Sequence, residues 1–196
     1  MKSRNLVIIV VVAFILILGG CGCNGYNNMI RLDEDVKNKW ANVQSDYQRR
    51  ADLIPNLVNT VKGYANFEQE TLTRVVEARA KATSVNVSAD NLSPQAIQQF
   101  QQAQGELNGA LSRLLVTVEK YPDLKANQNF LDLQKQLEGT ENRIKVSRND
   151  FNASVQGYNT NIRRFPNNLF AGMFGFTPKE AFRADPGSER APAVTF

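Results

Sequence analysis

The chain has 196 residues, 42% of them hydrophobic, with 23 basic and 19 acidic side chains and no histidine, which suffices for one domain with a sizeable core plus a tether. Both cysteines, Cys21 and Cys23, lie near the N-terminus; without Cys or His elsewhere, thiol nucleophiles, Ser-His-Asp triads, the usual zinc sites and imidazole acid/base chemistry are excluded, and two cysteines this close cannot staple a fold. Beyond residue 20 there remain 21 basic against 19 acidic residues, a formal +2, with no Lys/Arg run longer than Arg49-Arg50 or Arg163-Arg164, so neither a nucleic-acid partner nor a metal or cofactor is expected.

Leu6 to Leu18 is uncharged throughout and follows Lys2 and Arg4, the charged and apolar regions of an export signal. Leu18-Gly19-Gly20-Cys21 resembles the lipobox of bacterial lipoproteins, which predicts cleavage and lipidation, palmitate included, at Cys21. The alternative is a retained membrane-spanning helix; stretched to Cys23 the segment has eighteen residues, close to the lower limit of roughly 17–25 for a span. Either anchor puts the remainder outside the cytoplasm. Residues 1–20 are read as signal or anchor, 21–27 as a short tether, 28–166 as a helical bundle and 167–196 as a tail packed on it.

From Met29 the apolar positions Leu32, Val36, Trp40, Val43, Tyr47, Ile54, Leu57 and Val61 step by three and four, with Arg50 filling the one gap. That is a helix face, predicted over 28–65 with a bend at Leu53–Pro55, where proline removes a backbone donor. A shorter helix follows from Asn66 through Leu72, Val75, Val76 and Ala82. Thr83 to Ser93 is polar, without apolar period, and reads as a loop.

Ser93-Pro94 supplies an N-cap and a proline at the first helical position. The third predicted helix carries Ile97, Phe100, Leu107, Leu111, Leu114 and Val118 and stops at Tyr121-Pro122; Gly105 and Gly109, four apart, predict a close approach to another helix. The fourth carries Phe130, Leu133, Leu137, Thr140, Ile144, Phe151, Val155, Tyr158 and Ile162, its one gap bridged by Ser147 or Arg148, and stops at Phe165-Pro166. The tail beyond is too rich in Gly and Pro to continue that helix, and Phe170, Phe174, Phe176, Phe182 and Phe196 are expected to pack onto the bundle. The fold class is therefore all-α: an antiparallel four-helix bundle with long, coiled-coil-like first and last helices.

The densest polar constellation is Arg49, Arg50 and Asp52 beside Pro55, with Arg143, Arg148 and Asp150 on the last helix. It has two readings: a basic recess that holds an anionic group or a partner's carboxylate, or arginines paired across helices with Asp52, Glu77, Glu141 and Asp150. Asp33-Glu34-Asp35 are consecutive on a helix and point apart, so they cannot flank one substrate bond; they are expected to be a solvated first turn. No catalytic set emerges.

At this point Tyr26-Asn27, Trp40, the block Arg49 to Val58 (RRADLIPNLV), Gly63-Tyr64, Glu141-Asn142-Arg143-Ile144, Arg148, Tyr158-Asn159, Phe165-Pro166 through Phe174-Gly175-Phe176, and the ending PAVTF can be taken together. In this order they closely resemble the LemA family of bacterial envelope proteins, over almost the whole chain beyond the anchor. The resemblance implies a membrane-tethered four-helix bundle with no established enzymatic activity. The cysteine after the apolar run departs from many members. The leading expectation is a non-enzymatic envelope protein that presents an interaction surface to an unidentified envelope partner. The alternatives are an adaptor or regulator of envelope stress or proteolysis, with Pro55 as its movable element, and a carboxylate-based envelope hydrolase.

Overall fold

The structure, a computed structural model, describes the backbone of residues 2–64 and 68–183 and the side chains from Asn24 onward within those ranges. It is all-helical: α1 (Lys2–Lys62), α2 (Gln69–Ser84), α3 (Pro94–Val118), the single turn α4 (Pro122–Lys125), α5 (Gln128–Arg163) and α6 (Asn167–Met173). No strand occurs among the described residues, and over the residues whose side chains are described, from Asn24 onward, no helix is long and apolar enough to cross a membrane. The side chains of the apolar run Leu6–Leu18, and Cys21 with its predicted lipidation, lie outside those described.

α1 starts well before Asn28 and is helical through positions 21–27, where the sequence predicts a tether. Glycine costs a helix about 1 kcal/mol relative to alanine but does not forbid it. Asp33, Glu34 and Asp35 consequently sit inside α1 and are not its first turn.

α3 begins where Ser93 Oγ accepts from Ala96 N at 3.3 Å, with Pro94 at the first position. Asn127 does the same for α5, its Oδ1 accepting from Phe130 N at 3.1 Å. α5 ends at a cis Phe165-Pro166 bond, after which the chain turns into α6, a short helix where the sequence predicts only irregular tail. α1 and α5 pack along most of their shared length, α2 pairs with α3 and also touches α1, and α6 lies against both α1 and α5. The ion pairs Lys39–Asp150 (3.6 Å), Asp46–Arg143 (4.0 Å) and Arg50–Glu141 (2.7 Å) show α5 running antiparallel to α1. Lys81–Glu106 (2.6 Å) and Lys120–Glu68 (3.4 Å) show the same for α3 against α2.

The interior divides into two apolar clusters. The first, nearer the start of α1, joins Met29, Val36, Trp40, Val43 and Tyr47 to Ile97, Phe100, Ile144, Phe151, Val155, Tyr158 and Ile162; it also takes Val87 and Leu92 from the α2–α3 connection, Ala171 from α6 and Phe182 from the tail. The second joins Ile54, Leu57 and Val61 to α2, to the far half of α3, and to Leu124, Phe130, Leu133 and Leu137. The α5 stripe is buried at every position read from the sequence, with Ser147 filling the gap and Arg148 half-buried.

Gly105 and Gly109 do not mediate a close approach, since a methyl group added at either would meet nothing within 4 Å. Gly109 instead lines an open recess with Thr71, Arg74 and Ala78 of α2, so spacing alone misplaced them. A close approach does occur at Gly25, where an added Cβ would lie 2.6 Å from Asn167 Oδ1 of α6.

Candidate functional site

Pro55 lies inside α1 and has no N–H, so the carbonyl four residues earlier, that of Ala51, lacks its helical donor. Arg79 of α2 supplies one: its Nε donates to Ala51 O at 2.8 Å. Arg50, next to that carbonyl, points inward and is 2% exposed. Its Nη1 donates to Glu141 of α5 at 2.7 Å and its Nη2 to Gln104 Oε1 of α3 at 2.7 Å. The guanidinium also stands 4.9 Å from the Tyr47 ring centroid. Gln104 Nε2 in turn donates to Ala82 O at 3.4 Å, a carbonyl in the last turn of α2 that has no partner within its own helix.

One polar layer thus touches α1, α2, α3 and α5 at a single level, between the two apolar clusters. Thr140 and Ser147 flank it on α5, their hydroxyls satisfied by Gln136 O and Ile144 O. Arg50 Nε has no partner among the described residues. A charge this deep is held by hydrogen bonds that constrain register, and removing one partner costs more than the pair's net worth.

A second polar arrangement fixes the tail. Asn159 of α5 grips Lys179 by both backbone groups, Nδ2 to the carbonyl at 2.8 Å and Oδ1 from the N–H at 2.9 Å. Asn152, two turns earlier, does the same to Phe182, at 3.2 and 2.9 Å. A side-chain amide offers one donor and one acceptor side by side, so each asparagine acts as a neighbouring strand would toward an extended segment. Tyr158 Oη adds a bond to Thr177 O (3.1 Å), and Gln101 and Arg148 donate to Arg183 O (2.8 and 3.4 Å).

The side chains of the two clamped residues complete the grip. Phe182 stacks on Trp40 with centroids 5.9 Å apart and meets Phe151 edge-on at 5.5 Å, while Arg148 covers its other side at 4.7 Å. Lys179 pairs with Asp33 at 2.8 Å, both side chains mostly shielded, and lies 5.4 Å over the Tyr158 ring. Phe170 and Phe176 are partly buried, Phe174 is half-exposed, and Phe196 lies outside the described residues.

Electrostatics follow this geometry. Burial, with a smaller push from Asp33, raises the Tyr158 phenol to about 12. Burial also raises Tyr47, against the pull of Arg148 and Arg50. Lys37 is held above the ordinary lysine range by Asp90 first and Glu34 next, at 2.9 and 3.0 Å, and Asp90 is lowered correspondingly.

Of the constellation singled out in the sequence, Arg50 and Glu141 are brought together, and Arg148 lies on the tail. Arg49 points to solvent. Asp52 is exposed and accepts from Gln48 at 2.7 Å. Arg143 is half-exposed and lines a recess of about 440 Å³ with Asn42, Ser45, Asp46, Val146 and Asp150 on the α1–α5 seam. Pro55 acts through the carbonyl it orphans. Sequence reasoning missed Arg79, Gln104, Asn152 and Asn159; the one available signal was arithmetic, a proline whose orphaned carbonyl must find a donor. Among the described residues no group of three His, Cys, Asp or Glu could hold a metal ion.

The chain is an all-helical protein whose buried polar groups hold helices and tail in register. The family model described as the LemA family matches residues 39–196, and the chain belongs to that family. It is 28% identical to the magnetosome protein MamQ 2 of Paramagnetospirillum magneticum, over 87% of this chain and 68% of the relative. The magnetosome protein MamQ of Magnetospirillum gryphiswaldense matches with the same identity and coverage. The protein LemA of Metamycoplasma hominis is 27% identical over 74% of this chain and 63% of the relative.

Proposed function

We propose that the chain is a non-enzymatic, membrane-tethered antiparallel four-helix bundle of the bacterial cell envelope, displayed outside the cytoplasm to bind another envelope protein. The observation that carries this reading is the continuity of α1, Lys2–Lys62: the helix that supplies one long edge of both apolar clusters also contains the apolar run that reads as the anchor. Membership of the LemA family supports an envelope-associated protein, and relatives named as magnetosome proteins support work at a cellular assembly. The α1–α5 seam, with exposed Val146 ringed by Asn42, Ser45, Asp46, Arg143 and Asp150, has the mixed character of a transient interface. A movable element at Pro55 is not favoured, because Arg79 fixes the carbonyl that would have to move.

Crosslinking in intact cells followed by affinity capture from membranes tests this directly. A reproducible partner is expected, lost on Val146→Asp with the fold intact. A chain recovered only in the soluble fraction, or with no partner across several growth conditions, defeats the reading. Intact mass separates the two anchors: a chain starting at Cys21 with acyl mass, or one retaining Met1.

A further inference from the structure

We infer that the end of the molecule formed by α6 and residues 25–31 of α1 is a lipid-contacting surface that rests on the interface of an anionic membrane. Six exposed large apolar side chains gather there: Tyr26 and Ile30 on α1, and Phe165, Leu169, Met173 and Phe174 around α6. Elsewhere among the described residues such side chains are scattered singly, as Val76, Val116 and Val146 on three different helices. Single exposed apolar residues are ordinary, whereas a contiguous group marks a surface made to be covered.

α6 is inverted relative to a helix that faces water. It buries Ala171 and turns out Leu169 and Met173, 60% and 76% exposed and four residues apart on one face. It is fixed in that pose, with Asn167 against Gly25 and Phe174 edge-on to Tyr26 at 4.9 Å.

The occupant follows from position and charge. Gly25 is four residues beyond Cys21 and seven beyond Leu18, roughly 10 Å along a helix from the apolar run. Either anchor therefore brings this end to the membrane, so the inference rests on the tethered reading above but not on which anchor is used. Carboxylates are missing from both segments that meet here. No Asp or Glu occurs between Met1 and Leu32 or between Phe151 and Lys179, and all 19 lie at Asp33–Asp150 or beyond Lys179. The same segments carry exposed Arg31, Arg163 and Arg164. Apolar side chains rimmed by arginine, with the first carboxylates, Asp33 and Glu34, one helical turn further from the anchor and engaged by Lys179 and Lys37, suit the interface of a membrane containing anionic lipid.

The full chain, purified with its anchor, is reconstituted into phosphatidylglycerol or phosphatidylcholine vesicles carrying brominated acyl chains. Tryptophan is introduced at Met173→Trp, or as a far-end control at Val116→Trp, with Trp40 as the common background. The expected result is emission from Met173→Trp quenched at least two-fold more than from Val116→Trp. In phosphatidylglycerol, Arg163→Glu with Arg164→Glu should reduce that quenching. Equal quenching of the two tryptophans in a chain that floats with the vesicles overturns this surface and leaves the tether standing. A crosslink between positions 173 of two copies, with no lipid quenching, overturns it in favour of self-association. A chain that does not float at all removes the tethered reading, and this surface with it.

Discussion

The apolar cluster near the start of α1 is built from rings. Trp40, Phe100, Phe151 and Phe182 sit with centroids 5.2 to 6.4 Å apart, and the Trp40 indole donates to Val87 O at 3.0 Å. The far cluster is mostly aliphatic, Leu57, Leu107, Leu111, Leu114, Leu133 and Leu137, with Phe130 its fully buried ring. Rings have edges, faces and polar tips that need particular neighbours, and here a loop carbonyl and a tail phenylalanine provide them. Branched aliphatics fill space with few directional demands, and helices with one short turn between them suffice. The ring-built half thus depends on segments distant in sequence, while the aliphatic half closes on its own helices.

The largest expected effect tests that dependence. Trp40→Ala should destabilise the chain by about 4 kcal/mol and also free the tail, read as protease cleavage after Lys179 or Arg183. Leu114→Ala should cost about 3 kcal/mol by urea titration and leave the tail protected; tail release in both variants would erase the distinction between the halves.

At the polar layer between them, Arg50→Ala strands Gln104 in the interior while half-exposed Glu141 can turn to water, so a loss of about 2 kcal/mol is expected. Arg50→Met should be neutral or stabilising, as apolar replacements of buried ion pairs often are. A large loss in Arg50→Met would mean that the charge itself joins the halves. Asn152→Ala and Asn159→Ala should each cost about 1 kcal/mol and speed amide exchange at Phe182 and Lys179 respectively, without touching the far cluster.

The smallest effect is in alkali. The Tyr158 phenol is raised in the fold, so its neutral form is favoured there; that stability is complete below the unfolded phenol's pKa near 10 and is lost as pH rises through about 12. Urea midpoints between pH 9 and 12 should fall more steeply in the parent than in Tyr158→Phe, and parallel slopes would show another group responsible.

The long helices were legible because periodicity records burial. Every α5 stripe position is buried, and Arg50 was marked as anomalous by sitting in the α1 stripe. What could not be read depends on where a distant segment lies. Asn152 and Asn159 look like any solvated helix amide until the tail's path is known. Val87 and Leu92 are core residues hidden in a polar stretch, because a loop bends back with no period to betray it. Gly105 and Gly109 carried the spacing of a packed pair but face open space. α6 was missed because proline before it and glycine within it look like breakers, whereas docking on α1 and α5 supplies what its sequence lacks.

The bond from Arg79 to the carbonyl that Pro55 leaves open makes the order of mutation matter. If position 55 changes first, to alanine, a backbone N–H returns to Ala51 O and Arg79 becomes dispensable. If position 79 changes first, to methionine, the carbonyl is left bare and about 1 kcal/mol is lost. A double-mutant cycle across the two sites should therefore show Arg79→Met costly beside Pro55 and nearly silent beside Pro55→Ala. The two residues form a one-way street, along which the chain can shed its proline and then its arginine, but not in the reverse order without passing through a weaker protein.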